Sequence, residues 1–164
     1  MRKSILLFLA FLNAAQTAHA AVHSLNKPVG WNGFADERYG TRVQYPNRFS
    51  IREGRPVLGP GKRLVTPDRR AEIEIYSLPN GIHHTPQSYL AAKMSIDPKT
   101  LHYKRVTSRF FVLSAARRGK IYYTRCNFSR SSGGPVHCVY LGYPQSEKRA
   151  WDNIVTRVSL SLRP

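Results

Sequence analysis

Four extended segments follow one another between residues 101 and 143, with only short connections between them. Residues 117–119 (Arg-Arg-Gly) predict a turn, and residues 129–135, made of Ser, Arg, Gly and Pro, predict a loop. The segments themselves are residues 101–107, 110–115, 120–128 and 136–143. Consecutive strands with short connections pair as antiparallel neighbours, so this part of the chain predicts a β-meander.

The part of the chain before the meander predicts further strands. Their segments are residues 41–45, 49–52, 62–66 and 71–77. In the last of these, alternation places Ile73 and Ile75 inward. Glu72 and Glu74 then point outward.

One helix is predicted on each side of the meander. Thr85 followed by Pro86 is typical of a helix N-terminus, so we expect a short helix that reaches Met94. Ser146 is the capping residue of a second, amphipathic helix. The apolar residues of this helix recur at spacings of three and four and form one stripe: Trp151, Ile154, Val155, Val158 and Leu162.

These elements predict an α+β fold, in which an antiparallel β-sheet meander is packed by a short mid-chain helix and a C-terminal amphipathic helix. The chain has 164 residues, a length that suits one domain. We place this domain at residues 39–164. Residues 21–38 lack periodicity and predict an irregular lead-in segment, which Trp31 and Phe34 anchor to the domain.

Residues 1–20 have the three-part pattern of a secretory signal peptide. A basic start and an apolar stretch, residues 5–15, precede a small-x-small cleavage site that ends at Ala20. The apolar stretch is shorter than the roughly 20 residues that a membrane-spanning helix needs, so we expect no transmembrane anchor. The pattern predicts a secreted or periplasmic protein after cleavage.

The two cysteines of the chain, Cys126 and Cys138, lie about symmetrically around Ser132. In a hairpin this symmetry places them opposite each other, close enough to bridge. An oxidising compartment and an even number of cysteines favour a disulfide over a reactive thiol. A nucleophile made of Cys138 and His137 is disfavoured, because adjacent strand residues point to opposite faces.

The histidines and acids form no recognised catalytic or metal-binding motif. His83 and His84 are adjacent in a loop, and they could bind zinc or copper only if a third ligand converged on them. Glu72 and Glu74 share a strand face, as any exposed strand allows. Hydrolase, metalloprotease and phosphate-loop motifs are missing from the sequence. We therefore assign no catalytic residue, no metal and no cofactor.

The distribution of charge is the most unusual feature of the sequence. The chain has 26 Lys and Arg against 9 Asp and Glu, a formal net charge of +17, and residues 98–146 contain no acid. Candidate anion-binding residues in this stretch are Lys104, Arg105, Arg109, Arg117, Arg118, Lys120, Arg125 and Arg130. We expect one continuous positive face, within the limit that alternation points Lys104 and Arg105 to opposite faces. Under the alternative, the charge serves solubility alone.

The order of the elements resembles a known fold. A strand ending in Tyr-Pro (residues 45–46), with Phe49 just beyond, precedes a mid-chain helix, a meander and a C-terminal helix with Trp151. Over residues 39–162 this order resembles the PsbP-type α/β sandwich. Two phrases are similar to secreted bacterial proteins of that general build: YYTRCNF (residues 122–128) and EKRAWD (residues 147–152). The resemblance implies an α+β fold and a non-catalytic envelope or assembly role, and it supplies no catalytic residue.

These features predict a non-enzymatic envelope binding or accessory module with a cationic surface for anionic partners. Secretion argues against intracellular nucleic acid and for an anionic lipid head group, an envelope polysaccharide or an acidic protein. A second hypothesis is a small secreted hydrolase or nuclease, which needs a histidine with an acid or a lysine within proton-transfer reach. A third is a structural module bound to another envelope protein, which needs an exposed apolar patch. The sequence leaves the oligomeric state open.

The signal pattern generates a first prediction. Because cleavage follows the small-x-small site, we expect the exported protein to begin at Ala21, as measured by intact mass spectrometry of the secreted or periplasmic fraction. A species in the membrane fraction that still carries Met1 would contradict the prediction.

Overall fold

The computed structural model of this chain describes residues 30–51, 56, 59–94 and 97–164. The signal peptide predicted at residues 1–20 and residues 21–29 of the lead-in segment lie outside these ranges. The strands of the described chain are β1 (Trp31–Ala35), β2 (Arg42–Pro46), β3 (Ser50–Ile51), β4 (Gly61–Val65), β5 (Glu72–Leu78), β6 (Leu101–Val106), β7 (Phe110–Arg117), β8 (Lys120–Phe128) and β9 (Val136–Pro144). Its α-helices are α1 (Pro86–Lys93) and α2 (Lys148–Ser161), and short 3-10 helices span Pro98–Thr100 and Gln145–Glu147.

The strands from β3 onward form one antiparallel sheet in the order β3-β4-β5-β9-β8-β7-β6, while β1 and β2 form a separate hairpin. The predicted meander corresponds to β6, β7, β8 and β9, each paired with the next. β9 also pairs with β5, and this pairing joins the meander to the β4–β5 hairpin. The predicted α+β class is therefore confirmed, with one short mid-chain helix and one C-terminal helix.

One face of the sheet, called here the α2 face, is covered by α2 and the hairpin strand β2. The predicted apolar stripe of α2 lies in this core together with Ile73, Val139 and Leu141 of the central strands. Trp151 is 2% exposed, and its ring stacks on that of Tyr143 with centroids 5.2 Å apart. Large aromatic side chains of this kind supply much of the apolar burial in a core.

The opposite face, called here the α1 face, is covered by α1. Tyr89 and Leu90 of this helix pack on Phe111, close to the two cysteines. The helix begins as the sequence predicts, because the Thr85 hydroxyl accepts a hydrogen bond from the Ser88 N–H at 3.2 Å. A covered sheet on both faces explains why the central strands carry apolar residues at consecutive positions.

The predicted disulfide is present between Cys126 and Cys138. The two residues are directly opposite each other in the register of β8 and β9, and their Cα atoms are 4.1 Å apart. Both cysteines are fully buried in the core under α1. The pairing predicted from the symmetry of the two cysteines around Ser132 is thereby confirmed.

The sequence indicated an irregular lead-in segment, but part of this segment forms a strand. Residues Trp31–Ala35 form β1 and pair along their length with β2, from Trp31 opposite Pro46 to Ala35 opposite Arg42. Trp31 and Phe34 are partly buried against the main core, as expected of anchors. Asn and Gly, which are depleted in strands, stand in the middle of this segment, so the local sequence does not predict a strand. The strand is stabilised by its pairing with β2.

The start of α2 also differs from the prediction. Ser146 is exposed within a 3-10 helix, and α2 begins at Lys148 without a side-chain cap. The Glu147 carboxylate instead accepts a hydrogen bond from the Trp151 indole N–H at 3.2 Å and forms an ion pair with Arg70 at 2.5 Å. The first turn of the helix is therefore attached to the β4–β5 turn.

Glu74 lies on the face opposite Ile73 and Ile75, as alternation predicts, but the solvent exposure expected of it is wrong, since this residue is 4% exposed. β5 lies between β4 and β9, where both faces of the sheet are covered, so its polar positions are enclosed as well. Arg63 of β4 forms ion pairs with Glu72 at 2.5 Å and with Glu74 at 3.3 Å. A buried carboxylate needs such a partner to offset its lost hydration.

The disulfide generates a prediction about stability. Because the bridge closes a loop between residues separated by 12 positions, reduction of the wild-type protein should lower the free energy of unfolding by about 2–3 kcal/mol. Urea denaturation with and without reductant measures this difference. Reduction keeps both sulfur atoms in the core and so separates the crosslink from packing. Equal urea midpoints and equal m-values for the oxidised and reduced proteins would contradict the prediction.

Candidate anion-binding site

The structure places five of the eight candidate cations at the two ends of the sheet. Arg117, Arg118 and Lys120 flank the β7–β8 turn at one end. Arg109 lies in the β6–β7 turn and Arg130 in the β8–β9 loop, both at the opposite end. These two groups are therefore separated by the length of the strands.

The other three candidates lie on the sheet itself, but not on one face. Lys104 lies on the α1 face, opposite Leu113 of β7. Arg105 and Arg125 both lie opposite Val112, one on each side, and belong to the α2 face. The opposite directions of Lys104 and Arg105 agree with the alternation expected from the sequence, and the eight cations do not form one continuous face.

Arg105 and Arg125 converge over one aromatic ring. They extend from β6 and β8, two strands that lie about 10 Å apart with β7 between them. The Arg125 guanidinium carbon lies 4.4 Å from the ring centroid of Phe110, and that of Arg105 lies 5.5 Å from it. Phe110 thus holds the two guanidinium groups above the same part of the sheet.

A third arginine reaches this place from the C-terminal end of the chain. After α2, Arg163 pairs through its backbone with Arg42 of β2, in N–H···O bonds of 2.9 and 3.0 Å. Asn127 connects this tail to the sheet: its amide donates to the Leu162 carbonyl at 3.0 Å, and its side-chain oxygen accepts from Arg125 Nε at 2.9 Å. Arg105, Arg125 and Arg163 are called the arginine site below.

The arginine site is an arrangement of like charges. Burial lowers the pKa of the Arg125 guanidinium, and the charges of Arg163 and Arg105 lower it further, against an opposing effect of Tyr123. Arg105 and Arg125 belong to the stretch of residues 98–146, which contains no acid. A bound anion would relieve the repulsion, because it offsets all three charges at once.

The floor beside the arginine site is open to solvent. α2 covers β8 and β9, whereas Tyr103 on the edge strand β6 is 49% exposed. Between the two, the Tyr123 hydroxyl is hydrogen-bonded to Ser159 of α2 at 2.6 Å. The site therefore lies on an exposed part of the sheet surface, called here the ledge, which is bounded on one side by α2 and the C-terminal tail.

Sequence reasoning found Arg105 and Arg125 but missed Arg163. Arg163 lies 38 positions after Arg125, outside the acid-free stretch that drew attention to the other two. One signal was available, since Arg163 directly follows Leu162, the last residue of the predicted apolar stripe. A residue next to a buried anchor has a defined position, even near a chain end.

The hydrogen bonds of the histidines go to hydroxyl groups. His83 is bonded to Ser132 at 2.8 Å and His84 to Ser88 at 3.2 Å, in the loops around α1. Among the described residues, no group of three or more His, Cys, Asp or Glu side chains is arranged to hold a metal ion. Each histidine of the adjacent pair is therefore hydrogen-bonded to a serine hydroxyl.

His137 is 1% exposed and belongs to a buried polar cluster on the α2 face. Its Nδ1 is hydrogen-bonded to the Thr41 hydroxyl at 2.7 Å and its Nε2 to the Ser129 hydroxyl at 3.2 Å. Thr41 is also hydrogen-bonded to Ser77 of β5. Cys138 points to the other face, so the two adjacent residues are on opposite sides of β9, as strand alternation requires.

Burial lowers the pKa of His137, against an opposing effect of the Asp36 charge. The folded protein therefore holds this side chain neutral, while in the unfolded chain it titrates near pH 6.5. As the pH falls below about 6.5, the unfolded state binds a proton that the folded state resists. We expect the free energy of unfolding to decrease as the pH falls below about 6.5, by at most about 1.4 kcal/mol per pH unit from this group.

Denaturant unfolding at a series of pH values measures this slope. His137→Gln should be less stable near pH 7 and should show a flatter slope, because the titrating group is gone. His102→Gln is the matched control, since His102 is exposed, and it should keep the wild-type slope. An unchanged slope in His137→Gln would contradict the assignment.

Comparison with known proteins gives a match at the level of fold alone. No protein-family profile matches the sequence, and no curated protein matches it. The structure is similar to that of the cyanobacterial PsbP protein CyanoP from Synechocystis sp. PCC 6803, with a TM-score of 0.56 and 9% identity over 84% of this chain and 94% of that one. It is also similar to the Ran-binding protein Mog1p of Saccharomyces cerevisiae, with a TM-score of 0.53 and 7% identity over 83% and 96% of the two chains. The PsbP-type α/β fold inferred from the order of elements is confirmed.

Proposed function

We propose that this chain is a secreted or periplasmic, non-enzymatic binding or accessory module, and that its arginine site holds anionic groups of an envelope component. The observation that carries the proposal is the convergence of Arg105, Arg125 and Arg163 beside an open ledge of the sheet. Guanidinium groups bind carboxylates and phosphates through two parallel N–H···O bonds, which suits them to this task.

The partial burial of Arg125 supports a binding role over a purely solvating one. Its Nε is committed to Asn127, and its guanidinium lies against the ring of Phe110. Side chains that only keep a protein soluble remain extended and hydrated, whereas this one is held and partly desolvated by its neighbours. A charge in such surroundings interacts more strongly with an anion than an exposed charge does.

The proposed compartment rests on two features of the chain. The signal pattern of residues 1–20 directs export, and the Cys126–Cys138 disulfide is of the kind that persists in oxidising compartments. Across the described part of residues 30–164, neither helix has the length and apolar character of a membrane-crossing segment. An exported protein meets lipid head groups, envelope polysaccharides and acidic proteins as its anionic partners.

The hydrolase or nuclease hypothesis needs a histidine beside an acid or a lysine in a cleft. His83, His84 and His137 are hydrogen-bonded to hydroxyl groups instead, and His137 is buried. A binding function accounts for the arginine site without such a pair. Both structural neighbours share only the fold and supply no residue, and one of them, Mog1p, is by name a Ran-binding protein, which supports a binding role.

Charge reversal at the arginine site tests the proposal. The variant Arg105→Glu, Arg163→Glu should elute from heparin at lower salt than wild type and should lose binding to anionic vesicles. Both replaced residues are exposed, so we expect the fold to tolerate the change. For wild type, binding should weaken steeply between about 50 and 200 mM salt, because it releases counterions.

Arg117→Glu, Arg118→Glu is the matched control, since it changes the net charge by the same amount at the far end of the sheet. We expect it to retain most of the binding. Equal losses in the two variants would show that only the overall charge matters. Retention like that of wild type in both would refute anion binding at this surface.

A further inference from the structure

Within the described residues, the strand β6 pairs along one edge only. It is the last strand of the described sheet and pairs with β7 on one side. The Thr107 N–H donates to the Phe110 carbonyl at 2.9 Å where the β6–β7 hairpin closes, and hydrogen-bonded pairs alternate along an antiparallel ladder from there. Arg105 therefore bonds to β7, while the N–H and C=O groups of Lys104 and Val106 point outward. The edge offers backbone donors and acceptors to another strand.

The surfaces on the two sides of this edge differ in character. On the α2 face, β6 carries Arg105, one of the three residues of the arginine site. On the α1 face, a cavity of about 250 Å³ lies between β6 and α1. Its lining is mostly apolar, with Leu90, Met94, Leu101 and Leu113, and it also includes Gln87 and Lys104. A strand added along β6 would thus meet the arginine site with its side chains on one face and, on the other, a mostly apolar cavity beside Lys104.

The charges of the edge select the partner. Sheet edges that carry Lys and Arg, or a bulge, resist pairing with a second copy of the same chain. Here β6 carries Lys104 and Arg105, and its register shifts between Leu101 and Tyr103. In a chain with a formal net charge of +17, a like strand is repelled and an acidic strand is attracted.

We propose that β6 accepts an extended segment of a partner protein as an added β-strand, and that this segment alternates acidic and apolar residues. The acidic side chains pair with the arginine site, and the apolar ones enter the cavity beside α1. The outward backbone groups of Lys104 and Val106 supply the hydrogen bonds. The proposal rests on the proposed function and narrows its anionic partner to an acidic protein.

A synthetic peptide tests this inference directly. The probe is a capped, fluorescein-labelled octapeptide of alternating Glu and Val, and its binding is measured by fluorescence anisotropy. Two derivatives carry N-methyl groups on all odd or all even residues, which removes the N–H donors of one edge of the peptide only. We expect one derivative to lose about tenfold or more in affinity and the other to bind nearly as well as the parent. Equal binding of the two derivatives would overturn strand addition.

A pair of variants at one position gives a second test. Lys104→Pro removes an outward N–H without breaking a bond to β7, and Lys104→Ala removes the same charge but keeps the N–H. We expect Lys104→Pro to bind the peptide about tenfold more weakly than Lys104→Ala, with thermal unfolding as the check of folding. Equal affinities of the two variants would contradict the proposal.

Heparin separates failure of this inference from failure of the proposed function. Where strand addition is wrong but the anion site is right, heparin still binds and both N-methylated peptides behave alike. If the variant Arg105→Glu, Arg163→Glu binds both heparin and the peptide as tightly as wild type does, the proposed function fails as well. Sedimentation that shows a dimer disrupted by Lys104→Pro would assign the edge to a second copy and overturn the acidic partner.

Discussion

The position of β9 between β5 and β8 is the constraint on which the rest of the structure depends. Eight of its nine residues are buried, because both faces of the sheet are covered at this strand. Its pairing with β5 joins the β4–β5 hairpin to the meander, and its Cys138 forms the disulfide with Cys126 of β8. Without this strand, β5 and β8 would not be joined in one sheet, and α2 would lose the central strand on which it packs.

The arginine site depends on the same arrangement. The buried cluster of His137, Thr41 and Ser77 joins β9 and β5 to the start of β2, which fixes the position of Arg42. The backbone of Arg42 then holds Arg163, and Asn127 ties the preceding carbonyl to β8. Polar contacts in a low-dielectric interior position these groups more firmly than surface contacts do. A surface site is thus assembled from interior bonds.

Local patterns in the sequence were sufficient for most of the fold. Alternation located the strands of the meander and the β4–β5 hairpin, the Thr85-Pro86 pair located α1, and symmetry around Ser132 located the disulfide. Each of these signals lies within a few residues of the element that it predicts. The strand β1 and the burial of Glu74 carry no such signal, since both result from neighbours distant in the chain.

The candidate site was predictable only in part, for a related reason. Absence of acids over residues 98–146 marked the region, but alternation and turns divide its cations among four places. Which of them meet is decided by the strand order and by the return of the C-terminal tail. Arg105 and Arg125 could be paired through β7 once the meander was assumed, whereas Arg163 could be placed only from the tertiary structure.

The long-range pairing of β5 with β9 has a consequence for the order in which the chain folds. Glu72 pairs with Gly142, so one edge of the early hairpin lacks its partner until β9, 70 positions further along the chain, is free to pair. Pairings between residues so far apart in sequence form slowly, because a long loop must close first. During that interval the β4–β5 hairpin exposes a strand edge and the apolar side of Ile73 and Ile75. Until β9 pairs with it, this edge is therefore a place where the unfinished chain is prone to aggregate.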